Sequence, residues 1–318
     1  MVFTSAPSLG PTLGPICGSF LGQYAGWKWV GVLAAIFTGV MWAVSSVFVP
    51  ETYTPYLLIR HAKKLSRLTG KVYKSKLEAR YSHKTAASRS RIILVFEPIV
   101  LALSLYSAVV YGMLYLTFTA FPVVFQGQRH WSQGISGLSY LGIMVGQLVR
   151  MFLYIFLEKR YRSKIARDAS KQTPESRLEP ALIGGVLLPA GLFWFAWTTF
   201  ESVHWSVSII GSSFFGLGQV LLLFISLINY LIDSYTVFAA SAPAANAILR
   251  AMFGVAFPLF AEKMYQNLDI QRASSVPVFL SLACAPMPFL FLKYGVDLRH
   301  RSKRATEARE IMDNILKQ

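Results

Sequence analysis

A single arginine stands inside a long uncharged segment in the last third of the chain. Arg250 follows the uncharged run from Ser234 to Leu249 and precedes the run from Ala251 to Ala261. A guanidinium within a membrane span costs about 2.5 to 3.5 kcal/mol on insertion scales, so it usually faces a cavity or a polar partner. Asn246 lies one helical turn earlier on the same face. The pair is predicted either to present donors to a substrate carbonyl or to fix a network between helices.

Polar and aromatic residues on two other segments join this set of candidates. Asn229 and Asp233 are interpreted as cavity or gating residues, and Asp233 has two alternative roles. It is either a turn and N-cap residue of the next helix, or a gating ion pair or proton-linked carboxylate. Tyr111 and Tyr115, with Tyr106, recur near helical spacing. They either pack in a core or line an aromatic-rich cavity for a small molecule.

Glycine recurs at every fourth position near the start of the chain. Gly10, Gly14, Gly18 and Gly22 share one helix face and form a nearly axial stripe without side chains. Another helix can lie against such a stripe backbone to backbone. Pro15 stands within the same run, which a membrane helix tolerates when its neighbours satisfy the freed carbonyls. Close helix packing is therefore predicted here.

Residue patterns of enzymes are missing from the sequence. His130-Trp131 and His204-Trp205 each place histidine beside tryptophan, the residue expected at a membrane interface. The sequence contains no His-Glu-x-x-His, Gly-x-Ser-x-Gly or phosphate-cradling glycine loop. Cys17 and Cys284 fall within apolar segments and suggest neither a disulfide framework nor a metal site. We therefore expect no catalytic, cofactor or metal residues.

The elements that position these residues are predicted to be membrane spans. Hydrophobic residues make up 54% of the 318 and charged residues only 14%, which is too apolar for a soluble domain of this length. About 20 apolar residues cross a hydrocarbon core. Eight spans are predicted from uncharged segments, and the fourth and seventh continue past one arginine each. The segments are Val2 to Trp27, Trp29 to Pro50, Pro98 to Gln128, Ser132 to Val149, Ala181 to Phe200, Trp205 to Ile232, Ser234 to Leu249 and Ala273 to Leu292.

The net charge of +16 is distributed unevenly between the loops. Lysine and arginine crowd Glu51 to Arg91, Lys159 to Arg177 and Lys293 to Lys317, while the intervening loops carry few. The positive-inside rule places these basic segments and both termini in the cytoplasm. Because the charge follows topology, nucleic-acid binding is not expected. Arg150 is predicted to extend to lipid phosphate, and Glu97 to begin a helix beside Pro98.

Four regions follow from this arrangement. Residues 1–50 are predicted to form two membrane helices, 51–93 a basic cytoplasmic loop, 94–295 a set of six helices, and 296–318 a basic cytoplasmic tail. Inside the loop, Pro55 to Thr69 has leucines on one face and basic residues opposite, with Gly70 as a stop signal. It is predicted as an amphipathic helix on the inner leaflet, with a solvated charged linker as the alternative.

Several motifs resemble one family of transporters. The pattern formed by Gly10, Gly14, Pro15 and Gly18 resembles the glycine-proline motif in the fifth membrane helix of proton-coupled drug antiporters of the major facilitator superfamily. The last six spans look like the second half of fungal drug and polyamine exporters of that superfamily. The matching segments are Pro50-Glu51-Thr52-Tyr53, Tyr111 to Tyr115, Pro174 to Leu178, Gly191 to Trp197, Tyr230 to Tyr235, Ala239 to Asn246 and Gly254 to Phe260.

The resemblance implies a fold, a position in that fold and a function. The fold is a partial all-α membrane bundle of the major facilitator type with about eight helices, equivalent to helices 5 to 12, since only nine residues precede Gly10. The implied function is export of small amphipathic or cationic compounds, such as drugs or polyamines, by alternating access. It implies no cofactor, a proton gradient as energy source, and the plasma membrane rather than the vacuolar one.

An alternative is a truncated membrane protein without autonomous transport. Two helices of a six-helix half do not close a cavity against the other six. The lipid bilayer and a small-molecule substrate are the expected partners in either case, with a second chain or self-association required if the truncation is real.

Overall fold

The computed structural model describes residues 2–51, 54–73, 97–167, 177–234 and 241–301, and these residues form helices and short connections without strands. The α-helices are α1 (Val2–Tyr24), α2 (Trp27–Phe48), α3 (Thr54–Thr69), α4 (Pro98–Pro122), α5 (Gln133–Gly137), α6 (Leu141–Arg167), α7 (Glu179–Trp197), α8 (Trp205–Val220), α9 (Ile228–Ser234), α10 (Ser241–Asn267), α11 (Ile270–Cys284) and α12 (Met287–Arg301). The predicted all-α fold is confirmed.

Seven helical stretches among these residues are long and apolar enough to cross a membrane. They are Trp27–Phe48, Ile99–Gln128, Gln133–Arg160, Glu179–Trp197, Trp205–Ser234, Ala242–Asn267 and Ile270–Gly295. The first of the eight predicted spans forms helix α1 of 23 residues, but α1 is not among the seven. Its glycines, prolines, serines and threonines lower its hydropathy below that of the others.

Short π-helical segments follow two of these helices. Val123–Gln128 comes directly after Pro122, and Leu221–Leu227 joins α8 to α9. A proline inside a helix removes one backbone donor, and a wider local turn is one way to satisfy the carbonyl groups around it. Proline accounts for the first segment only, since Trp205–Ser234 contains none. Both stretches continue as single helical stretches of 30 residues despite the change in backbone winding.

The core lies between the last six spans. Helix α4 packs against α10, and α8 packs against both α6 and α7. Glycines bring these backbones together. A Cβ atom on Gly146 of α6 would strike the carbonyl oxygen of Ser213 on α8, and one on Gly191 of α7 would strike the backbone of Phe215. Fully buried side chains fill the remaining space, among them Leu103, Phe121, Phe125, Ile143, Phe215 and Tyr230.

Helices α1 and α2 lie at the edge of this core. Thr12 of α1 donates to Gln147 Oε1 of α6 at 3.1 Å, and the Gln23 side chain accepts from the backbone N–H of Gly134. Helix α2, whose residues are all described, has no buried residue. Its apolar side chains therefore need lipid or further helices as a cover.

The predicted amphipathic helix forms α3, and the ends of α3 and α12 lie near predicted boundaries. Helix α3 ends at Thr69, and Gly70 follows with φ of 69°, as its prediction as a stop requires. The boundary between residues 93 and 94 lies outside the described residues. At the C-terminal end, α12 continues to Arg301, so the last helix passes the predicted boundary at residue 295 by six residues.

Candidate functional site

Helices α4 and α10 bring three of the predicted residues together. The guanidinium carbon of Arg250 lies 5.2 Å from the centre of the Tyr111 ring. The hydroxyl oxygens of Tyr111 and Tyr115 are 3.3 Å apart, and their rings meet edge to face. All three side chains are partly exposed. A cation over an aromatic face is worth about 0.5 to 2 kcal/mol, more as water is removed. The ring faces are therefore partly accessible to a ligand.

The same helix interface explains the role of Asn246. This residue is 1% exposed, and its Nδ2 donates to Ser107 Oγ on α4. Ser107 in turn donates to the backbone carbonyl of Ser104. Of the two alternatives for Asn246, the structure therefore shows the hydrogen bond between helices. Tyr106 likewise packs in the core at 3% exposure.

Glycine on each helix permits this close packing. A Cβ atom on Gly254 would lie 3.3 Å from the Tyr111 ring and 3.5 Å from the Tyr115 ring, and one on Gly112 would lie 2.9 Å from the Phe257 ring. The two positions act reciprocally, since each helix offers a glycine where the other places an aromatic ring. The position of Arg250 over Tyr111 therefore depends on small residues that make no polar contact.

Asp233 and Asn229 lie elsewhere, on α9. Asp233 Oδ2 accepts from Arg177 Nε at 3.0 Å, and the same guanidinium reaches Glu158 Oε2 on α6 at 3.4 Å. Asp233 thus stands in the last turn of α9 within an ion-pair cluster, and residues 235–240, on which its predicted N-cap role depends, lie outside the described residues. Arg177 bridges the two acids because it enters just before α7, between the ends of their helices. Asn229, one turn earlier, is partly exposed.

The first two glycines of the α1 stripe point away from the described helices, whereas a Cβ atom on Gly22 would lie 3.0 Å from Gln133 Nε2 of α5. A Cβ atom on Gly10 or Gly14 would meet nothing within 4 Å, and one on Gly18 would lie 3.8 Å from Val30 of α2. Pro15 is partly buried, and its carbonyl faces Gly137 on the other side of the helix. The close contact predicted along Gly10 and Gly14 therefore stays a prediction about helices outside this set.

Two charged residues, Arg150 and Glu97, are buried in the structure. Arg150 is 2% exposed, so its predicted extension to lipid phosphate is wrong. It follows Gly146 by one turn on the face of α6 that packs against α8, which directs it between helices. Glu97 precedes α4 as predicted, and it is buried at 3% exposure.

Uncharged polar residues in the core were missed by the sequence analysis. Gln147 and Gln219 are each 1% exposed. Both amide atoms of Gln219 lack a hydrogen-bond partner among the described residues, and so does Gln147 Nε2. Glutamine inside an apolar run was the available signal. Since a buried amide without a partner is costly, water or a polar ligand is expected beside them.

At the opposite end of the bundle, Arg129 connects two loops. Its Nη2 donates to the carbonyl oxygens of Phe200 at 2.8 Å and Val203 at 2.7 Å. Partial burial lowers the pKa of the Arg129 guanidinium from its ordinary value, and nearby Glu201 acts in the other direction. Trp131 and Trp205 meet edge to face beside this contact. The histidine of the second pair, His204, caps α8 by accepting from Ser206 N–H.

Apolar spans around a partly exposed cation and two tyrosines define an integral multi-pass membrane protein with a polar site between its helices. The chain belongs to the Major Facilitator Superfamily, whose family profile matches residues 2–259. The resemblance inferred from the motifs is thereby confirmed.

Named relatives are fungal membrane transporters. The chain is 53% identical to the MFS-type efflux pump MFS2 of Trichophyton rubrum, with 99% of the chain and 54% of that protein covered. It is 50% identical to the efflux pump FUB11 of Gibberella fujikuroi, covering 99% and 56%. It is 50% identical to the multidrug transporter mdrA of Aspergillus fumigatus, covering 100% and 53%. The chain thus spans about half the length of these relatives. No solved structure matches it.

Proposed function

We propose that the chain serves in a membrane exporter of small amphipathic or cationic compounds, drugs and polyamines among them, which works by alternating access and is driven by a proton gradient. The observation that carries the proposal is the half-exposed group of Arg250, Tyr111 and Tyr115 on two tightly packed spans. The relatives are named as efflux pumps and a multidrug transporter, and these names support the same activity.

The chemistry of this group suits substrates that combine a ring or alkyl surface with one polar atom. The Arg250 guanidinium has several N–H donors and binds a carbonyl oxygen of the substrate. The faces of Tyr111 and Tyr115 bind an apolar surface or a cationic amine. Because no contact requires one particular shape, the group accepts chemically different compounds.

The ion pairs of Arg177 with Asp233 and Glu158 are proposed as a gate. They join the ends of α6 and α9 to the start of α7, on the side that the positive-inside rule places in the cytoplasm. Opening this end requires that Arg177 release at least one carboxylate. A proton on Asp233 removes its charge and favours release, which gives the proton gradient a point of action.

A second candidate, a chain without transport of its own, is favoured by the exposure of α2 and of the stripe at Gly10 and Gly14. The large side chains of α2, among them Trp29, Phe37, Trp42 and Phe48, are exposed along its whole length. A second chain or another copy would cover this surface. Transport would then appear only in the assembly.

An efflux assay tests the proposed function. The chain alone, and a chimera that adds the first four spans of the Trichophyton rubrum relative before Met1, are expressed in yeast that lacks its own drug exporters. We expect the chimera to export a fluorescent amphipathic cation and a protonophore to abolish that export, while the chain alone exports none. A chimera that reaches the plasma membrane but exports nothing would contradict the proposed function.

Topology gives an independent prediction. In a protein with Cys17 and Cys284 replaced by serine, we expect Ser202→Cys and Gln266→Cys to react with an impermeant thiol reagent on intact cells. Ser75→Cys, which lies outside the described residues, should react only after the cells are opened. Reaction of Ser75→Cys on intact cells would reverse the orientation and place both termini outside.

A further inference from the structure

Helix α3 separates charged from apolar surface more sharply than the other long helices that the structure describes. The side chains of Arg60, Lys63, Lys64 and Arg67 occupy one side, and α3 contains no acidic residue. The opposite side carries Leu57, Leu58, Ala62, Leu65 and Leu68. At 100° per residue the basic set covers an arc of about 100° and the apolar set an arc of about 140° on the other side of the helix. Four like charges on a single face repel one another unless anions lie nearby.

The apolar side of α3 is uncovered in the described structure. Leu58 and Leu65 are each 47% exposed, and Leu68 is 75% exposed. Full burial of a leucine side chain is favourable by about 1.5 to 3 kcal/mol, so three exposed leucines on one helix face favour contact with an apolar medium. All four basic side chains are exposed as well. Among the described residues, neither face of α3 packs extensively against another helix.

The chain fixes where this helix must be. The span α2 ends at Phe48 and α3 begins at Thr54, so six peptide steps separate them. Six residues reach at most about 20 Å when fully extended. Helix α3 therefore starts within that distance of the point where α2 leaves the bilayer. The chain after α3 folds back onto the helix, because the backbone N–H of Tyr73 donates to Ser66 Oγ at 2.8 Å.

We propose that α3 binds the anionic lipid surface of the bilayer that α2 crosses, with its leucines among the acyl chains and its basic face among the headgroups. An anionic surface matches four lysines and arginines, and the edge of the acyl region matches the leucines. A protein partner of equal chemistry would need to be acidic and apolar at once and to reach this depth. The bilayer is already there.

The test uses the full chain in lipid nanodiscs, with Cys17 and Cys284 replaced by serine. A solvent-sensitive fluorophore is attached at Leu65→Cys on the apolar side, or at Lys63→Cys on the basic side as the matched position. Discs contain either phosphatidylcholine alone or a mixture with phosphatidylserine. Quenchers fixed to the acyl chains report burial in lipid, and an aqueous quencher reports exposure.

In discs with phosphatidylserine we expect acyl-chain quenching at Leu65→Cys to exceed that at Lys63→Cys about five-fold, since the apolar side enters the membrane. The difference should fall in phosphatidylcholine discs and at high salt. It should also fall in the variant Arg60→Gln, Lys64→Gln, Arg67→Gln. A control variant, Lys28→Gln, Lys263→Gln, Arg272→Gln, removes the same charge from exposed positions outside α3 and should leave the signal unchanged.

Three results would overturn the proposal. Equal access of the aqueous quencher to both positions in anionic discs would show a solvated helix. Protection of Leu65→Cys from both quenchers would show a protein cover. Equal lipid quenching in discs with and without phosphatidylserine would show burial without a requirement for anionic lipid. Each is independent of efflux, because no transport is measured.

Discussion

Replacing Gly146 with leucine is expected to abolish the folded bundle. The added side chain would strike the backbone of Ser213 and Leu217, and backbone atoms of a packed helix cannot move aside as a side chain does. Overpacking of this kind costs about 3 kcal/mol or more, the upper part of the usual range. The yield of monodisperse protein in detergent and its thermal unfolding midpoint measure the loss.

Two matched substitutions sharpen this prediction. Gly39→Leu on α2 makes the same chemical change where a Cβ atom meets nothing within 4 Å, so its yield should equal that of the parent. Gly14→Leu should also be tolerated in the chain alone, and it should lower the yield of the twelve-span chimera if a further helix covers the stripe. Normal yield of Gly146→Leu would contradict the close packing of α6 and α8.

Replacing Arg250 with alanine in the chimera is expected to reduce efflux about ten-fold or more, because the substrate loses its charged donors. Expression should not fall, since the change removes an insertion cost of about 2.5 to 3.5 kcal/mol. Arg250→Lys should rescue only part of the activity because an ammonium lacks the planar fork of the guanidinium. Efflux is measured beside surface expression, so that transport per molecule is known.

The control for this prediction is Arg272→Ala, which removes an arginine from an exposed position on α11 and should leave efflux unchanged. Normal efflux in Arg250→Ala would show that Arg250 is not needed for substrate binding or transport. Lost expression with normal transport per molecule would assign it to packing against Tyr111. Tyr111→Leu should resemble Arg250→Ala in efflux, while Tyr111→Phe, which keeps the ring, should resemble the parent.

The sequence allowed the spans and several neighbours of the site to be predicted, because periodicity and hydropathy act locally. Arg250 and Asn246 were placed on one helix by their spacing of four. Their contacts with Tyr111 and Ser107 join residues 139 positions apart, and no local pattern encodes that pairing. The sequence also did not show that Tyr111 is partly exposed while Tyr106 is buried, since both tyrosines lie on the same apolar helix.

The error at Arg150 has its cause in helix orientation. Arg150 was expected to reach lipid because arginine near the end of a span usually does. Its burial follows from Gly146 one turn earlier, which turns that face of α6 toward α8. For Asp233 the sequence left a cap and a gating ion pair open as alternatives. Its partner Arg177 lies 56 positions away in the sequence and could be identified only in three dimensions.

The two ends of the bundle are fastened by different forces. Arg129 is bound to neutral carbonyl groups of Phe200 and Val203, and these dipoles keep their strength when the solution changes. The opposite end is fastened between full charges on Arg177, Asp233 and Glu158, all partly exposed. Dissolved salt weakens such pairs, and the Debye length falls to about 3 Å at molar ionic strength. Added salt should therefore loosen one end of the molecule selectively, so that ionic strength can be used to trap the conformation open on that side.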